Sequence, residues 1–214
     1  MKITILGSTG FLGKVVLEKA LESNYQVKTL VRTPNKLGEY KDKVEYIQGS
    51  VAEADKLEKA VSETEVVIST IGPPMKNPGD PELYRKSMEN LVTILEKRNI
   101  KRYIHIGGAA HLGGENENWS MGRKILRLVL KTIAKPVLVA KQLEWEVLKN
   151  SKLEWTLVRP PGIMKEVFKG RGTIADEKNL FRTKVNVEDL AVFIVEQITS
   201  KDWIRKAPLV AAGK

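Results

Sequence analysis

The sequence predicts an α/β domain with a mostly parallel β-sheet, and two observations support that prediction. Strand-like and helix-like segments alternate along the chain, as they do in β-α-β units. A short apolar strand at the start is followed at once by closely spaced glycines and then by a helical pattern. With 214 residues, 42% hydrophobic and 29% charged, the chain fits one domain over residues 1–214 that can bury a substantial core.

The apolar pattern predicts the elements in order. Short apolar, β-prone runs predict parallel strands at residues 2–6, 26–31, 44–48, 65–70, 102–106 and 153–158. Apolar residues three or four positions apart predict helices within the glycine turn and at residues 53–62, 81–98, 136–150 and 187–199. A seventh strand is predicted at residues 179–185 and an edge strand at 208–211.

Gly7, Gly10 and Gly13 follow the first strand at a G-x-x-G-x-x-G spacing, where the first helix begins. Such a turn exposes backbone N–H groups and the positive end of the helix dipole. Gly7 permits the turn, Gly10 lets a pyrophosphate approach the backbone, and Gly13 lets the helix pack on the strand. The turn is therefore predicted to bind a dinucleotide, with a purely structural glycine turn as the alternative. The binding segment is Gly7, Ser8, Thr9, Gly10, Phe11, Leu12 and Gly13.

The residues after the second strand indicate which dinucleotide is bound. Proteins that prefer NAD usually place a carboxylate there for the ribose 2′-OH, whereas the 2′-phosphate of NADP needs a cation. No carboxylate lies between Gln26 and Gly38, and Arg32 directly follows the strand, with Thr33 and Lys36 nearby. Because a guanidinium is a fork-shaped donor suited to phosphate, NADP is predicted over NAD. The alternative is that Arg32 is a solvated loop cation.

The composition excludes several kinds of protein. The chain has no cysteine, which excludes a disulfide framework, a thiolate nucleophile and a cysteine-based metal site, and no metal is predicted. The apolar runs are too short for a membrane span, and no signal peptide precedes the first strand, so a cytoplasmic location is expected. The net charge of +10 suggests anionic ligands or surfaces, of which a phosphorylated cofactor accounts for part.

Five segments give the chain a resemblance to a known group of proteins. They are Gly7-Ser8-Thr9-Gly10-Phe11-Leu12-Gly13, Val31-Arg32, Gly49-Ser50-Val51, Leu153-Glu154-Trp155-Thr156-Leu157-Val158-Arg159-Pro160 and Val185-Asn186-Val187-Glu188-Asp189-Leu190-Ala191. Together they resemble the atypical short-chain dehydrogenase/reductase superfamily, in particular the small group containing biliverdin-IXβ/flavin reductase and the NmrA-like regulators.

The resemblance implies a Rossmann-type, doubly wound, mostly parallel sheet with a small C-terminal substrate-covering region. It also implies a bound NADP whose nicotinamide lies beyond strands four to six. Further cofactor contacts are accordingly expected at Ser50, Val51, Thr70, Ile71, Gly72, Gly107, Lys141 and Pro160.

Three positions depart from the pattern of that superfamily. Ser50 stands where many relatives have an Asp that contacts the adenine. Gly107-Gly108-Ala109-Ala110 replaces a stretch that often carries a Ser, and Val137 stands four residues before Lys141, where a Tyr is usual. Without those hydroxyls an alkoxide has no usual proton donor. Hydride transfer is therefore expected only to acceptors that take a proton from solvent, which disfavours a sugar epimerase or an alcohol dehydrogenase.

Three residues are weighed for roles in catalysis. Lys141 is expected to hydrogen-bond the nicotinamide ribose, with a solvated helix lysine as the alternative. His111 falls just past the fifth strand, where ligands bind in open sheets, and is the candidate proton donor; an idle loop histidine is the alternative. His105 lies within the fifth strand and is expected to be a core histidine.

Residues 119–135 combine an apolar face with a row of basic residues, namely Arg123, Arg127, Lys131 and Lys135. The plain interpretation is an amphipathic helix with a solvated basic face. The alternative is a surface for an acidic protein partner or an anionic membrane. Nucleic acid is disfavoured because no aromatic stacking platform accompanies the charge. The chain is expected to be a monomer or a dimer.

Two functions are open at this point. The first is an NADP-dependent reductase acting on a flat conjugated acceptor such as a flavin or a linear tetrapyrrole. Its apolar pocket is expected to include Pro73, Pro74, His111, Trp119, Pro161 and Met164. The second is a non-catalytic NADP-binding sensor that acts through a protein partner on the basic helix. The missing Ser and Tyr favour the sensor, and the short chain and the pattern match favour the reductase.

Overall fold

The central sheet has six strands in the computed structural model, which describes residues 1–73, 79–108, 135–167, 169–179 and 182–213. They are β1 (Lys2–Leu6), β2 (Gln26–Val31), β3 (Glu45–Gln48), β4 (Val66–Ser69), β5 (Arg102–Ile106) and β6 (Glu154–Val158). Their order is β3-β2-β1-β4-β5-β6, and every neighbouring pair is parallel. The carboxyl ends therefore share one edge, with a crevice where the strand order reverses at β1 and β4.

Helices cover both faces of this sheet. They are α1 (Phe11–Glu22), α2 (Ala54–Val61), α3 (Pro81–Lys97), α4 (Lys135–Asn150) and α5 (Val187–Glu196). One apolar core lies under α1 and α5 and includes Leu37 from the 3₁₀ segment Pro34–Lys43. The other lies under α2, α3 and α4. Helices on both faces of a parallel sheet confirm the predicted doubly wound α/β fold.

The central strands are apolar on both sides because each face meets a layer of helices. In β1, Ile5 packs into the first core and Leu6 into the second. In β5, Ile104 packs into the first core and Tyr103 into the second, and both side chains are fully buried. This double burial explains why nearly every residue of these strands is buried, including the polar Thr4 and His105. None of the helices described combines the length and apolarity that a membrane crossing requires.

The C-terminal region adds four short strands beside the sheet. β7 (Gly162–Met164) pairs in parallel with β9 (Lys184–Asn186), and β8 (Thr173–Asp176) pairs antiparallel with β10 (Leu209–Ala212). The strand predicted at 179–185 is wrong in its bounds, because a turn follows β8. There the Asp176 carboxylate accepts hydrogen bonds from the N–H groups of Lys178 and Asn179. β7 and β8 were not predicted because three or four residues are too few to show a period.

Candidate functional site

The glycine turn after β1 is tightly packed at two of its three glycines. Gly7 has φ +87°, and a Cβ there would lie 2.6 Å from Thr70 Oγ1. A Cβ on Gly13 would lie 2.0 Å from the Gly7 carbonyl oxygen, so α1 can approach β1 only with glycine at that position. Gly10 differs, because among the described residues its Cβ would meet only the Gly7 oxygen, at 3.3 Å. Its outer side is therefore open to a ligand.

The start of α1 is suited to an anion. Gly10 is the N-cap residue, none of the described side chains caps the helix, and its first turn contains no acidic residue. By contrast, the side chains of Asp80 and Asn186 cap α3 and α5. The uncapped N–H groups and the helix dipole favour a phosphate at the first turn of α1. This cradle fits the pyrophosphate of a dinucleotide.

Two hydroxyl groups connect the turn to the neighbouring strands. Ser8 Oγ lies 2.7 Å from Thr29 Oγ1, which itself donates to the Ile5 carbonyl, so the Ser8 hydroxyl is the donor between them. Ser8 is only 1% exposed, so its hydroxyl is used within the fold. At the end of β4, Thr70 Oγ1 lies 3.2 Å from the carbonyl oxygens of both Leu6 and Gly7. These bonds fix the turn against β2 and β4.

A cavity of about 500 Å³ lies at the ends of β2 and β3. It is lined by Arg32, Thr33, Pro34, Asn35, Lys41, Tyr46 and Gln48. Lys36, the predicted second cation, is not among the lining residues, whereas Lys41 is. Lys41 reaches the cavity because the 3₁₀ segment bends at Gly38 (φ 58°, ψ −130°), a bend that the sequence analysis did not predict. Two cations beside an exposed tyrosine suit a phosphorylated ribose.

Ser50 and Val51 follow β3 at the same edge of the sheet. The Ser50 N–H donates to the Glu53 carboxylate at 2.7 Å, and the Ser50 hydroxyl accepts from the Ala52 N–H at 3.3 Å. The hydroxyl that stands in the place of the usual Asp is thus engaged in a local turn. Val51 packs on the second core.

Lys141 lies at the carboxyl edge of β4 and β5. Its ammonium is 3.4 Å from the Ile106 carbonyl oxygen and 3.5 Å from Glu144 Oε2. A Cβ on Gly72 would lie 2.8 Å from the same ammonium. The Lys141 side chain is only 12% exposed, so it is not the solvated lysine of the alternative interpretation. The structure brings together Lys141, Gly72 and the end of β5 next to Gly107.

His105 is a core histidine, as expected, with 2% exposure. Its Nδ1 lies 3.1 Å from the Tyr103 hydroxyl, and its Nε2 lies 3.8 Å from Glu144 Oε2. Burial lowers the pKa of His105, and the Glu144 carboxylate opposes that shift. Burial favours a higher pKa for Glu144, but His105 and Lys141 together hold it below its ordinary value. On α3, burial and then the charge of Glu144 raise the pKa of Tyr84.

Glu144 was missed by the sequence analysis. The only signal for it was an acid three positions after Lys141 on the same helix, which is also the spacing of ordinary surface pairs. Val137, four positions before Lys141, is buried at 8% exposure. Pro160 is buried at the end of β6, beside the fully buried Arg159, which donates to the Ala207 and Glu177 carbonyls.

The predicted substrate pocket is only partly covered by the structure. Pro73, Pro161 and Met164 are partly exposed, whereas Pro74, His111 and Trp119 lie outside the described residues. Of the basic row, Lys135 is exposed at the start of α4, and Arg123, Arg127 and Lys131 lie outside the described residues. In the part of the chain that is described, no group of three His, Asp or Glu residues is placed to hold a metal ion.

Solved structures share this fold at low sequence identity. A wide-type short-chain dehydrogenase/reductase from Veillonella parvula, in complex with NADP, matches with a TM-score of 0.78 at 19% identity, covering 98% of this chain and 94% of that one. The anaerobillin reductase ChuY from Escherichia coli O157:H7 matches with a TM-score of 0.79 at 17% identity, covering 99% and 97%. At these identities the likeness shows the fold alone.

Sequence comparison gives the family. The phenylcoumaran benzylic ether reductase TP7 of Nicotiana tabacum is 32% identical over 112 residues, which are 48% of this chain and 34% of that protein. The chain thus spans about a third of the length of this curated relative. The family model described as NAD(P)H-binding matches residues 7–201, from the glycine turn to beyond α5. The chain therefore belongs to the NAD(P)H-binding family, and its resemblance to the atypical short-chain dehydrogenase/reductase superfamily is confirmed.

Proposed function

We propose that the protein is a cytoplasmic NADP-dependent reductase that transfers a hydride to a flat conjugated acceptor such as a flavin or a linear tetrapyrrole. One observation supports this most directly. The Lys141 ammonium lies at the crevice edge beside Gly72, while the residue one turn before it is the buried Val137. A site without a tyrosine hydroxyl at that position suits an acceptor that takes its proton from solvent.

The residues present fit an NADP molecule along the carboxyl edge. The glycine turn and the first turn of α1 would hold the pyrophosphate, and Arg32 with Lys41 would bind the 2′-phosphate. Lys141 would donate a hydrogen bond to the nicotinamide ribose. When bound, NADPH supplies the hydride, and the protein orients the reactants and excludes water. The NADP in the Veillonella structure and the reductase names of ChuY and TP7 support this proposal.

The test is anaerobic NADPH oxidation with free flavins, quinones, linear tetrapyrroles and simple ketones as acceptors. Simple secondary alcohols are tested separately with NADP⁺ as the oxidant. Each turnover should consume one NADPH and one proton for each acceptor reduced by two electrons. We expect turnover with at least one conjugated acceptor and none with the simple ketones or alcohols. Robust oxidation of a secondary alcohol would refute the argument from the missing hydroxyls.

A non-catalytic NADP-binding sensor is the second candidate, and Val137 favours it because the usual tyrosine is missing there. The same panel separates the two. A protein that binds NADPH tightly and reduces none of the acceptors would support the sensor, which is proposed to act through the basic row of residues 123–135.

A further inference from the structure

Glu144 is the one acidic side chain that is buried among the described residues, with 5% exposure. An ionised carboxylate is costly to bury unless it is paired. An apolar pair of similar volume would often stabilise a core as well as an ion pair does. Stability therefore gives no reason for an acid at this position, whereas a role at the neighbouring site does.

The groups around Glu144 come from three elements. Lys141 lies one turn earlier on α4, with 3.5 Å between its ammonium and Glu144 Oε2. His105 Nε2 approaches the same oxygen from β5, at 3.8 Å. Tyr84, on α3, is near enough for the Glu144 charge to help raise its pKa. Neither Glu144 Oε2 nor His105 Nε2 has a hydrogen-bond partner among the described residues, so the two atoms are available to each other.

The protonation of His105 follows from its other neighbours. The Tyr103 hydroxyl lies 3.1 Å from His105 Nδ1. When Tyr103 donates to Nδ1, the proton of the neutral imidazole is on Nε2, facing the carboxylate. Burial lowers the pKa of His105, which keeps the ring neutral. The neutral imidazole on β5 thus faces the Glu144 carboxylate without neutralising its charge. The carboxylate therefore keeps a negative charge that attracts the Lys141 ammonium.

The far side of the ammonium is also fixed. The Ile106 carbonyl lies 3.4 Å from Lys141 Nζ. Gly72 leaves room for this group, since any side chain there would begin 2.8 Å from Nζ. Carboxylate, carbonyl and glycine together hold one lysine conformation at the carboxyl edge.

We propose that Glu144 is the positioning residue for Lys141, with Tyr103 and His105 supporting the carboxylate from β5. Its task is to hold the ammonium at the edge where the dinucleotide binds, and in this respect the proposal rests on the proposed function. A fixed ammonium binds better than a mobile one because its side-chain entropy is lost before the ligand arrives.

The first test is a double-mutant cycle on NADPH affinity, measured by titration calorimetry. Lys141→Met and Glu144→Gln should each weaken binding about fivefold or more. The double variant should bind no more weakly than Lys141→Met alone, because Glu144 acts through the ammonium. Glu146→Gln is the matched control: this acid is on the same helix, its side chain is 43% exposed, and its loss should leave affinity unchanged.

The second test is the same cycle on thermal unfolding without any dinucleotide. Lys141→Met leaves the buried carboxylate without its cation and should lower the melting temperature by about 5 °C or more. The double variant should regain part of that loss. Additive effects in both cycles, or parent-like affinity in Glu144→Gln, would overturn the positioning role. A parent protein that binds no NADPH would instead refute the proposed function, and the melting cycle would still report whether the pair is coupled.

Discussion

Alanine at Gly13 is expected to destabilise the fold itself, whether or not a ligand is present. The new Cβ would lie 2.0 Å from the Gly7 carbonyl oxygen and 2.7 Å from Thr70 Oγ1, whereas ordinary contact begins at 3.4 Å. The carbonyl belongs to the backbone and cannot rotate away, so α1 must move from β1 by more than an ångström. Overpacking of this kind costs about 3 kcal/mol or more, which lowers the melting temperature of a chain of this size by about 10 °C.

Alanine at Gly10 provides the matched comparison in the same turn. Gly10 has φ −80° and ψ 171°, which any residue can adopt, and in the part of the chain that the structure describes its Cβ would meet only the Gly7 oxygen, at 3.3 Å. We expect the stability of Gly10→Ala to stay within about 1 kcal/mol of the parent. The methyl group would occupy the open side of the cradle, so NADPH affinity should fall about tenfold or more.

Thermal unfolding followed by circular dichroism, without ligand, measures the first effect, and calorimetry with NADPH measures the second. A Gly13→Ala variant with the melting temperature of the parent would contradict the close packing of α1 on β1. A Gly10→Ala variant that lost as much stability as Gly13→Ala and kept its affinity for NADPH would contradict an open side at Gly10.

Three further predictions concern single side chains. Arg32→Glu should weaken NADPH relative to NADH about tenfold or more by calorimetry, while Lys101→Glu, with the same charge change at the opposite edge of the sheet, should not. Below pH about 6.5 His105 takes up a proton in the unfolded chain, whereas in the folded protein, where its pKa is lowered, it stays neutral. The free energy of unfolding should therefore fall between pH 7 and pH 5, by up to about 1.4 kcal/mol per pH unit. Denaturant titrations should show that His105→Gln removes this slope, and an unchanged slope would contradict the buried neutral ring. His111→Ala should lower turnover about a hundredfold if that histidine donates a proton and leave turnover unchanged if solvent does, with NADPH affinity measured alongside.

The start of the site was predictable because its signals are local. An apolar run, three spaced glycines and a helical period stand within about twenty residues, and the bounds predicted for β1, β2 and β5 are those observed. Arg32 was predictable for the same reason, since it directly follows β2. Its place in the cavity depends only on where that strand ends.

The remaining site residues depend on contacts that the sequence does not display. Lys41 reaches the cavity through a backbone bend at Gly38, so spacing alone favoured Lys36. Glu144 has the spacing of a surface ion pair with Lys141, and its burial depends on His105, which belongs to a strand some forty residues earlier. The short strands β7 and β8 form only because β9 and β10 lie beside them.

Titration calorimetry of the parent protein with NADPH and with NADH tests the central claim most directly. The claim is that the glycine turn and the cavity at Arg32 together hold an NADP dinucleotide. We expect one NADPH bound per chain, about tenfold or more tighter than NADH, because the 2′-phosphate meets the cations of the cavity. Equal affinities, or no binding of either dinucleotide, would contradict it.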